Sequence, residues 1–286
     1  MQWRLKRLLN RGGFTMDLKN KTIFITGASR GIGRAIALKC AAQGANIAIA
    51  AKSDTPHPTL SGTIHSVAEE VEAAGGKALA LVVDVRDEDA IAQAAEKAAE
   101  HFGGIDIVIN NASAIKLKPS EDVSGKDFDL MQNVNSRGTF FTVKACLPYL
   151  KASNSAHVVT LSPPINTNPK WLGASPAYML SKYGMTLVTL GFAEEFKAQN
   201  IHCNTIWPQT LVATAAIKVN FPQVYEYAMQ PSIVADAVHA LITEDHPLSG
   251  HSFTDQEILR AAGIDDFISY RVNPDIEPQI DMFLDV

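Results

Sequence analysis

The chain has 286 residues, of which 47% are hydrophobic and 19% charged, and its formal net charge is −5. Such values describe an ordinary globular protein and exclude disorder, a collagen-like repeat and a disulfide scaffold. They supply no basic field to neutralise phosphates, which argues against a nucleic-acid partner, and no apolar run approaches the roughly 18 residues of an integral membrane segment. Cys40, Cys146 and Cys203 are odd in number and lack CxxC spacing or paired histidines. They read as buried thiols of a reducing, cytoplasmic compartment, and no metal site is expected.

Residues 1–15 carry Arg4, Lys6, Arg7 and Arg11 with no opposing acid. This basic leader is either disordered, translated from a start upstream of Met16, or an organellar targeting peptide. Residues 16–286 alternate short β-branched runs with stretches of 3.6 periodicity, the mark of an α/β sheet covered by helices on both faces. Predicted strands are Thr22 to Thr26, Asn46 to Ala51, Ala78 to Val83, Ile105 to Asn110, His157 to Leu161, His202 to Trp207 and His251 to Thr254. Predicted helices run Gly33 to Gln43, Ile64 to Ala74, Asp87 to Phe102, Lys126 to Tyr149, Ser175 to Gln199 and Pro231 to Thr243, the first three closed by Gly44, Gly75-Gly76 and Gly103-Gly104. No composition break divides this array, so the expected fold is one Rossmann-type, doubly wound domain with a seven-stranded, mostly parallel sheet. In such sheets ligands bind outside the carboxyl ends of the strands. The long connections Ser53 to Gly62 and Pro163 to Ser175 project there and are candidate site walls.

Thr26-Gly27-Ala28-Ser29-Arg30-Gly31-Ile32-Gly33 follows the first strand and opens a helix. Glycines there let the backbone approach a pyrophosphate, whose charge meets the helix N-terminus. Further on, Ser175-Pro176-Ala177-Tyr178 reads as a helix start with Ser175 as N-cap. The dipole at that end and Lys182, one turn on, would both lower the Tyr178 phenol from its usual value near 10.

With the glycine turn, Asp84 after the third strand, Asn110-Asn111-Ala112-Ser113 after the fourth, Asn135 in a helix and Tyr178-Met179-Leu180-Ser181-Lys182, the sequence resembles the short-chain dehydrogenase/reductase family from about Lys21 to Asp255. Ile115, Asn133-Val134-Asn135-Ser136-Arg137-Gly138, Ser162-Pro163-Pro164 and Trp207-Pro208 resemble its hydroxysteroid dehydrogenase-like subgroup, whose animal members carry a sterol-carrier domain; none is expected within these 286 residues. The resemblance implies that Tyr178 handles the substrate proton and that Lys182 also binds the nicotinamide ribose. It makes Asn135 the holder of a proton-relaying water, with Asn110 beside the cofactor. Ser162 becomes the serine that polarises the substrate oxygen, displaced because the family's usual position, 13 residues before the tyrosine, is Ile165 here. The cofactor would lie on Gly27, Ser29, Arg30, Gly31, Ile32 and Gly33, with Asp84 and Val85 by the adenine, Asn111 and Ala112 along the chain, and Pro208 near the nicotinamide.

The family's acidic ribose ligand is replaced by Ala51, followed by Lys52, and Arg30 would project toward the same pocket. Two cations without a fixed acid favour the 2′-phosphate of NADP(H). Asp54 is the competing ribose acid. Pro208-Gln209 stands where Pro-Gly is usual, and Asp255-Gln256-Glu257 where Asp-Gly-Gly is usual. The tail, about 256–286, carries Phe267, Tyr270 and Phe283 and is expected to dock on a neighbouring surface such as another subunit's. The expected activity is NADP(H)-dependent hydride transfer to or from a carbonyl or hydroxyl carbon of a hydrophobic small molecule, in a homo-oligomer, dimer or tetramer. A hydrophobic substrate follows from the apolar segment Thr210 to Gln230 with Trp171, Trp207 and Phe221. The alternatives are an enoyl thioester reductase and a catalytically degenerate cofactor- or lipid-binding module.

Overall fold

A computed structural model describes residues 17–285; the basic leader, residues 1–15, lies outside them. Seven strands, β1 (Thr22–Thr26), β2 (Asn46–Ala51), β3 (Lys77–Val82), β4 (Ile107–Asn110), β5 (His157–Leu161), β6 (His202–Trp207) and β7 (His251–Thr254), form one sheet in the order β3-β2-β1-β4-β5-β6-β7. Every pairing is parallel, so the sheet is wholly rather than mostly parallel. The order reverses between β1 and β4, which opens a crevice at their carboxyl ends.

The helices are α1 (Gly31–Ala41), α2 (Ile64–Ala73), α3 (Glu88–Phe102), α4 (Gly125–Gln132), α5 (Gly138–Ala152), α6 (Pro169–Ala174), α7 (Pro176–Glu195), α8 (Ala215–Asn220), α9 (Ser232–Ile242) and α10 (Asp255–Ala261). Local chemistry sets their ends. Asp87 caps α3 by accepting from Asp89 N and Ala90 N at 3.0 and 3.1 Å, and Gly103 closes it in the left-handed conformation. One apolar layer packs α1, α2, α9 and α10 against one face of the sheet; a second packs α3, α5 and α7 against the other. Because both faces are covered, β1, β2, β4 and β5 are buried along their whole length.

One expectation changes. The single helix over Lys126 to Tyr149 is interrupted by a π-turn, Asn133–Arg137, between α4 and α5. α7 packs against that turn so closely that a Cβ on Gly184 would lie 2.7 Å from Ser136 Cβ. The tail, expected to dock on a neighbouring surface, finds one within the chain. It packs on its own chain, with Phe267 buried in the α1/α9 layer and the Tyr270 hydroxyl donating to Asp236 at 2.7 Å. Its last part, residues 279–285, runs antiparallel beside residues 209–211, joined by Leu211 N to Gln279 O at 2.9 Å and Asp281 N to Gln209 O at 3.1 Å. This strap crosses the carboxyl edge of the sheet because β6 ends there.

Candidate active site

The glycine turn is built as a close approach. Gly27 and Gly31 have φ of 67° and 58°, and a Cβ on Gly33 would lie 2.5 Å from Asn111 Nδ2 and 2.7 Å from Gly27 O. Thr26 Oγ1 accepts from Asn111 N and Ala112 N, each at 3.1 Å, and Asn111 Nδ2 donates to Thr26 O and Gly27 O, each at 3.0 Å. The ends of β1 and β4 are thereby locked together around the N-terminus of α1, while Ser29 and Ile32 complete the turn. Asn110, by contrast, turns its amide into the sheet toward Thr160 Oγ1 at 3.2 Å. Arg30 caps nothing. Its Nη2 donates to Ser53 Oγ at 3.0 Å and Gly62 O at 2.8 Å, and its buried Nε has no partner among the described residues. Backbone packed too tightly for any side chain, at a helix N-terminus, fits a dinucleotide pyrophosphate, and the unspent guanidinium N–H of Arg30 offers a donor to a further phosphate.

Around it, Lys52 is exposed, and Asp54 accepts from the His65 ring at 2.7 Å. Asp84 holds the Arg86 guanidinium through both carboxylate oxygens, which lowers its pKa. Val85 lies against Gly138, where a Cβ would come within 3.1 Å of it. Thr214 stands over the turn, 3.4 Å from the Cβ position of Gly31, so the segment after β6 reaches the cofactor side.

Tyr178 and Lys182 lie one turn apart in α7, only 4% and 2% exposed. Pro176 begins the helix, but Ser175 does not cap it: its hydroxyl donates to Lys118 O at 3.3 Å. Lys182 Nζ donates to Leu161 O at 2.6 Å and lies 5.0 Å from the centre of the Trp207 ring. Burial lowers its pKa to about 7, against the opposing charge of Asp281. The Tyr178 phenol departs from expectation: burial raises it and the charge of Asp281 adds to the rise, while a hydrogen bond with Ser113 acts the other way. The cost of charging a buried phenol outweighs the favourable helix end.

Ser162 is engaged within the fold. It is fully buried at the end of β5, and its Oγ accepts from Thr186 Oγ1 at 2.9 Å. Thr186 is eight residues beyond Tyr178, about 12 Å along the helix axis. The Ser162 hydroxyl is thus engaged with α7, while Ser113 is the hydroxyl whose hydrogen bonding lowers the Tyr178 phenol against its burial. Asn135 is also fully buried. Its Oδ1 accepts from Ala114 N at 2.7 Å, and its Nδ2 donates to Ala114 O at 2.9 Å and Ser181 Oγ at 2.8 Å. The amide that the resemblance assigned to a water thus fastens the loop carrying Ser113 to α7.

Sequence reasoning missed the strap. Pro208 leads into Gln209, whose N donates to Asp255 Oδ1 at 2.8 Å and whose O accepts from Asp281 N, so the residue standing where the family has glycine anchors the strap. Burial raises both carboxyls to about 7; Asp255 is opposed by backbone N–H donors, chiefly of Gln209 and Gln256, and by the Arg260 charge, and Asp281 by the Met282 N–H and then Lys182, while the Asp255 charge raises Asp281 further. Phe283, 1% exposed, joins Trp171, Tyr178, Tyr183 and Trp207 in a third apolar cluster. The aromatic residues of the tail were the only local signal.

The glycine turn, the switch in strand order and the Tyr178/Lys182 pair together define a nucleotide-dependent dehydrogenase of the doubly wound type. The family model for short chain dehydrogenases matches residues 21–223, and the chain belongs to that family. It is 51% identical over 272 residues, 95% of its length, to human hydroxysteroid dehydrogenase-like protein 2, and spans 65% of that protein's length. A solved structure from Xanthomonas campestris superposes with a TM-score of 0.92 at 49% identity, covering 95% of this chain and 100% of that one. More distant solved members differ in cofactor. One from Mycobacterium paratuberculosis is bound to NAD (25% identity, TM-score 0.72, 85% of this chain and 100% of that one), and a metagenomic oxidoreductase is in complex with NADP (26%, 0.70, 84% and 98%).

Proposed function

We propose that the chain is an NADP(H)-dependent oxidoreductase acting on a carbonyl or hydroxyl carbon of a hydrophobic substrate, with Tyr178 as acid and base. The observation that carries this reading is the placement of Tyr178 and Lys182, one turn apart and buried, at the sheet edge that also holds the glycine turn. When bound, the cofactor supplies or accepts the hydride. Gly27, Ser29, Gly31, Ile32 and Gly33 shape its cradle, Asn111 and Ala112 line it, Asp84 and Val85 face the adenine, and Pro208 borders the nicotinamide end.

Arg30 and Lys52 favour the 2′-phosphate. The competing acid, Asp54, accepts from the His65 ring through one carboxylate oxygen, which draws it toward α2, while Arg30 donates to Ser53. Tyr178 exchanges the proton at the substrate oxygen. Lys182, with its pKa lowered to about 7, can hold or give up a proton at neutral pH. Ser113 supplies the second hydroxyl at that oxygen, and Asn135 holds Ser113 in place. Trp171, Trp207 and Phe283 make the surroundings apolar, which suits a hydrophobic substrate.

The test is NADPH oxidation across hydrophobic ketones, aldehydes and enoyl thioesters, with Tyr178→Phe as control. Turnover reduced at least 100-fold in the variant, with NADPH binding retained, is the expected result. Reduction of enoyl thioesters alone would move the reading to carbon–carbon double bonds. NADPH binding without any turnover would leave a binding module.

A further inference from the structure

We propose that Phe283, on the chain's own C-terminal strap, is a specificity-determining residue that sets the size of the substrate group admitted beside Tyr178. The inference rests on Tyr178 being the reacting group. Phe283 does not belong to either apolar layer that flanks the sheet; it lies in the third cluster, the one that contains Tyr178. Its ring centre is 6.2 Å from those of Tyr178 and Trp207, 6.1 Å from that of Trp171 and 5.4 Å from that of Tyr183. A group bonded to a carbon that reacts at the Tyr178 hydroxyl must share this space with the Phe283 ring.

The strap is held for that placement. Phe283 has φ of 71°, a conformation that a bulky residue adopts only under constraint. The constraint comes from both sides. Trp207 Nε1 donates to Met282 O at 3.0 Å and Asn166 Nδ2 to Phe283 O at 3.0 Å. Just beyond, the Asp285 carboxylate accepts from Trp171 Nε1 at 2.8 Å and from the amides of Asn166 and Asn168 at 2.8 and 3.2 Å. Trp171 and Trp207 are thus both walls of the cluster and anchors of the strap. Ordinary terminal packing does not require a strained backbone latched by donors from three separate segments. Here the latch points one aromatic ring at the proton donor.

Two measurements test the role, one with turnover and one without. With NADPH, butan-2-one, acetophenone and 2-acetonaphthone form a series of methyl ketones of increasing bulk. In Phe283→Ala the ratio of kcat/KM for 2-acetonaphthone to that for butan-2-one should rise at least tenfold over the unaltered protein. Phe283→Leu, the variant more certain to fold, should raise it at least threefold. An unchanged ratio in either folded variant overturns the proposal.

The second measurement needs no reaction. Removing the ring leaves an apolar, ring-sized space that an aromatic solute can fill, read as saturable quenching of tryptophan fluorescence in the NADPH-loaded protein. Acetophenone should bind Phe283→Ala and lose at least threefold in affinity when Tyr178→Phe is added. Ethylbenzene, which has no carbonyl, should bind the single and double variants equally. Failure of the folded variant to take up acetophenone, or indifference of its binding to Tyr178, overturns the proposal. Absence of turnover in every protein counts against the oxidoreductase reading and leaves the binding result to decide the place of Phe283.

Discussion

Asn135→Ala removes the side chain that joins the loop after β4, the π-turn and α7. Three hydrogen bonds of 2.7, 2.9 and 2.8 Å disappear, leaving Ala114 N, Ala114 O and the Ser181 hydroxyl without this partner. Ser181 still donates to Tyr178 O at 2.7 Å, so its share of the loss is small. Ala114 is half-buried, and its two backbone groups cost less than the full penalty for unpaired polar atoms. At about 1–2 kcal/mol for each backbone group, the substitution should destabilise the protein by roughly 2–4 kcal/mol. A typical reserve of about 5–15 kcal/mol leaves it folded.

The function should divide in the same substitution. Asn111 is held by Thr26 and Gly27 independently of Asn135, so NADPH affinity should change less than threefold. Ser113, one residue from Ala114, loses its seat against the phenol, and turnover should fall about tenfold or more, the effect of losing roughly 1.4 kcal/mol at the reacting centre. Urea midpoints give the stability change, and fluorescence titration with NADPH gives the affinity. A stability loss below about 1 kcal/mol, less than one buried hydrogen bond with its orphaned partner, would refute the claim that this amide fastens the loop.

Two other predictions concern charge. Replacing Arg30 and Lys52 together by alanine should weaken NADPH binding about 10- to 100-fold, the scale of one or two charge-assisted hydrogen bonds, and NADH binding less than threefold; equal losses would end the 2′-phosphate assignment. Burial raises the Asp255 carboxyl to about 7, with the Gln209 and Gln256 N–H donors and the Arg260 charge opposing the shift. The folded protein therefore keeps a proton that the unfolded chain releases near pH 4, so this contribution to stability is full below that pH and is lost as pH rises through about 7. Asp255→Asn preserves the acceptor for Gln209 and Gln256 and should be more stable than the unaltered protein at pH 8 by on the order of 2 kcal/mol, with the gap closing near pH 4. Thermal unfolding at the two pH values checks this, and a gap independent of pH would contradict it.

Periodicity and glycine placement were enough to determine the seven strands, most of their helical cover but not α10, and the glycine turn. These features depend on residues adjacent in the chain: β-branched runs, left-handed glycines at helix ends, and a glycine turn between strand and helix. Tyr178 and Lys182 were legible for the same reason, being one helical turn apart. What they experience was not legible. The sequence suggested a phenol lowered by a helix dipole, whereas enclosure by the strap raises it. Ser162 looked catalytic because strand ends carry sites, yet only the packing of β5 against α7 shows its hydroxyl bonded to Thr186. Residues 279–285 have no periodicity to announce a role. Asp281 and Phe283 reach Tyr178 and Lys182 from about a hundred residues away in sequence because Gln209, Trp207, Asn166 and Trp171 present hydrogen-bond donors and acceptors to a strap that completes the edge of the sheet. Contacts of that separation depend on where the folded sheet places its ends, and no local pattern encodes them.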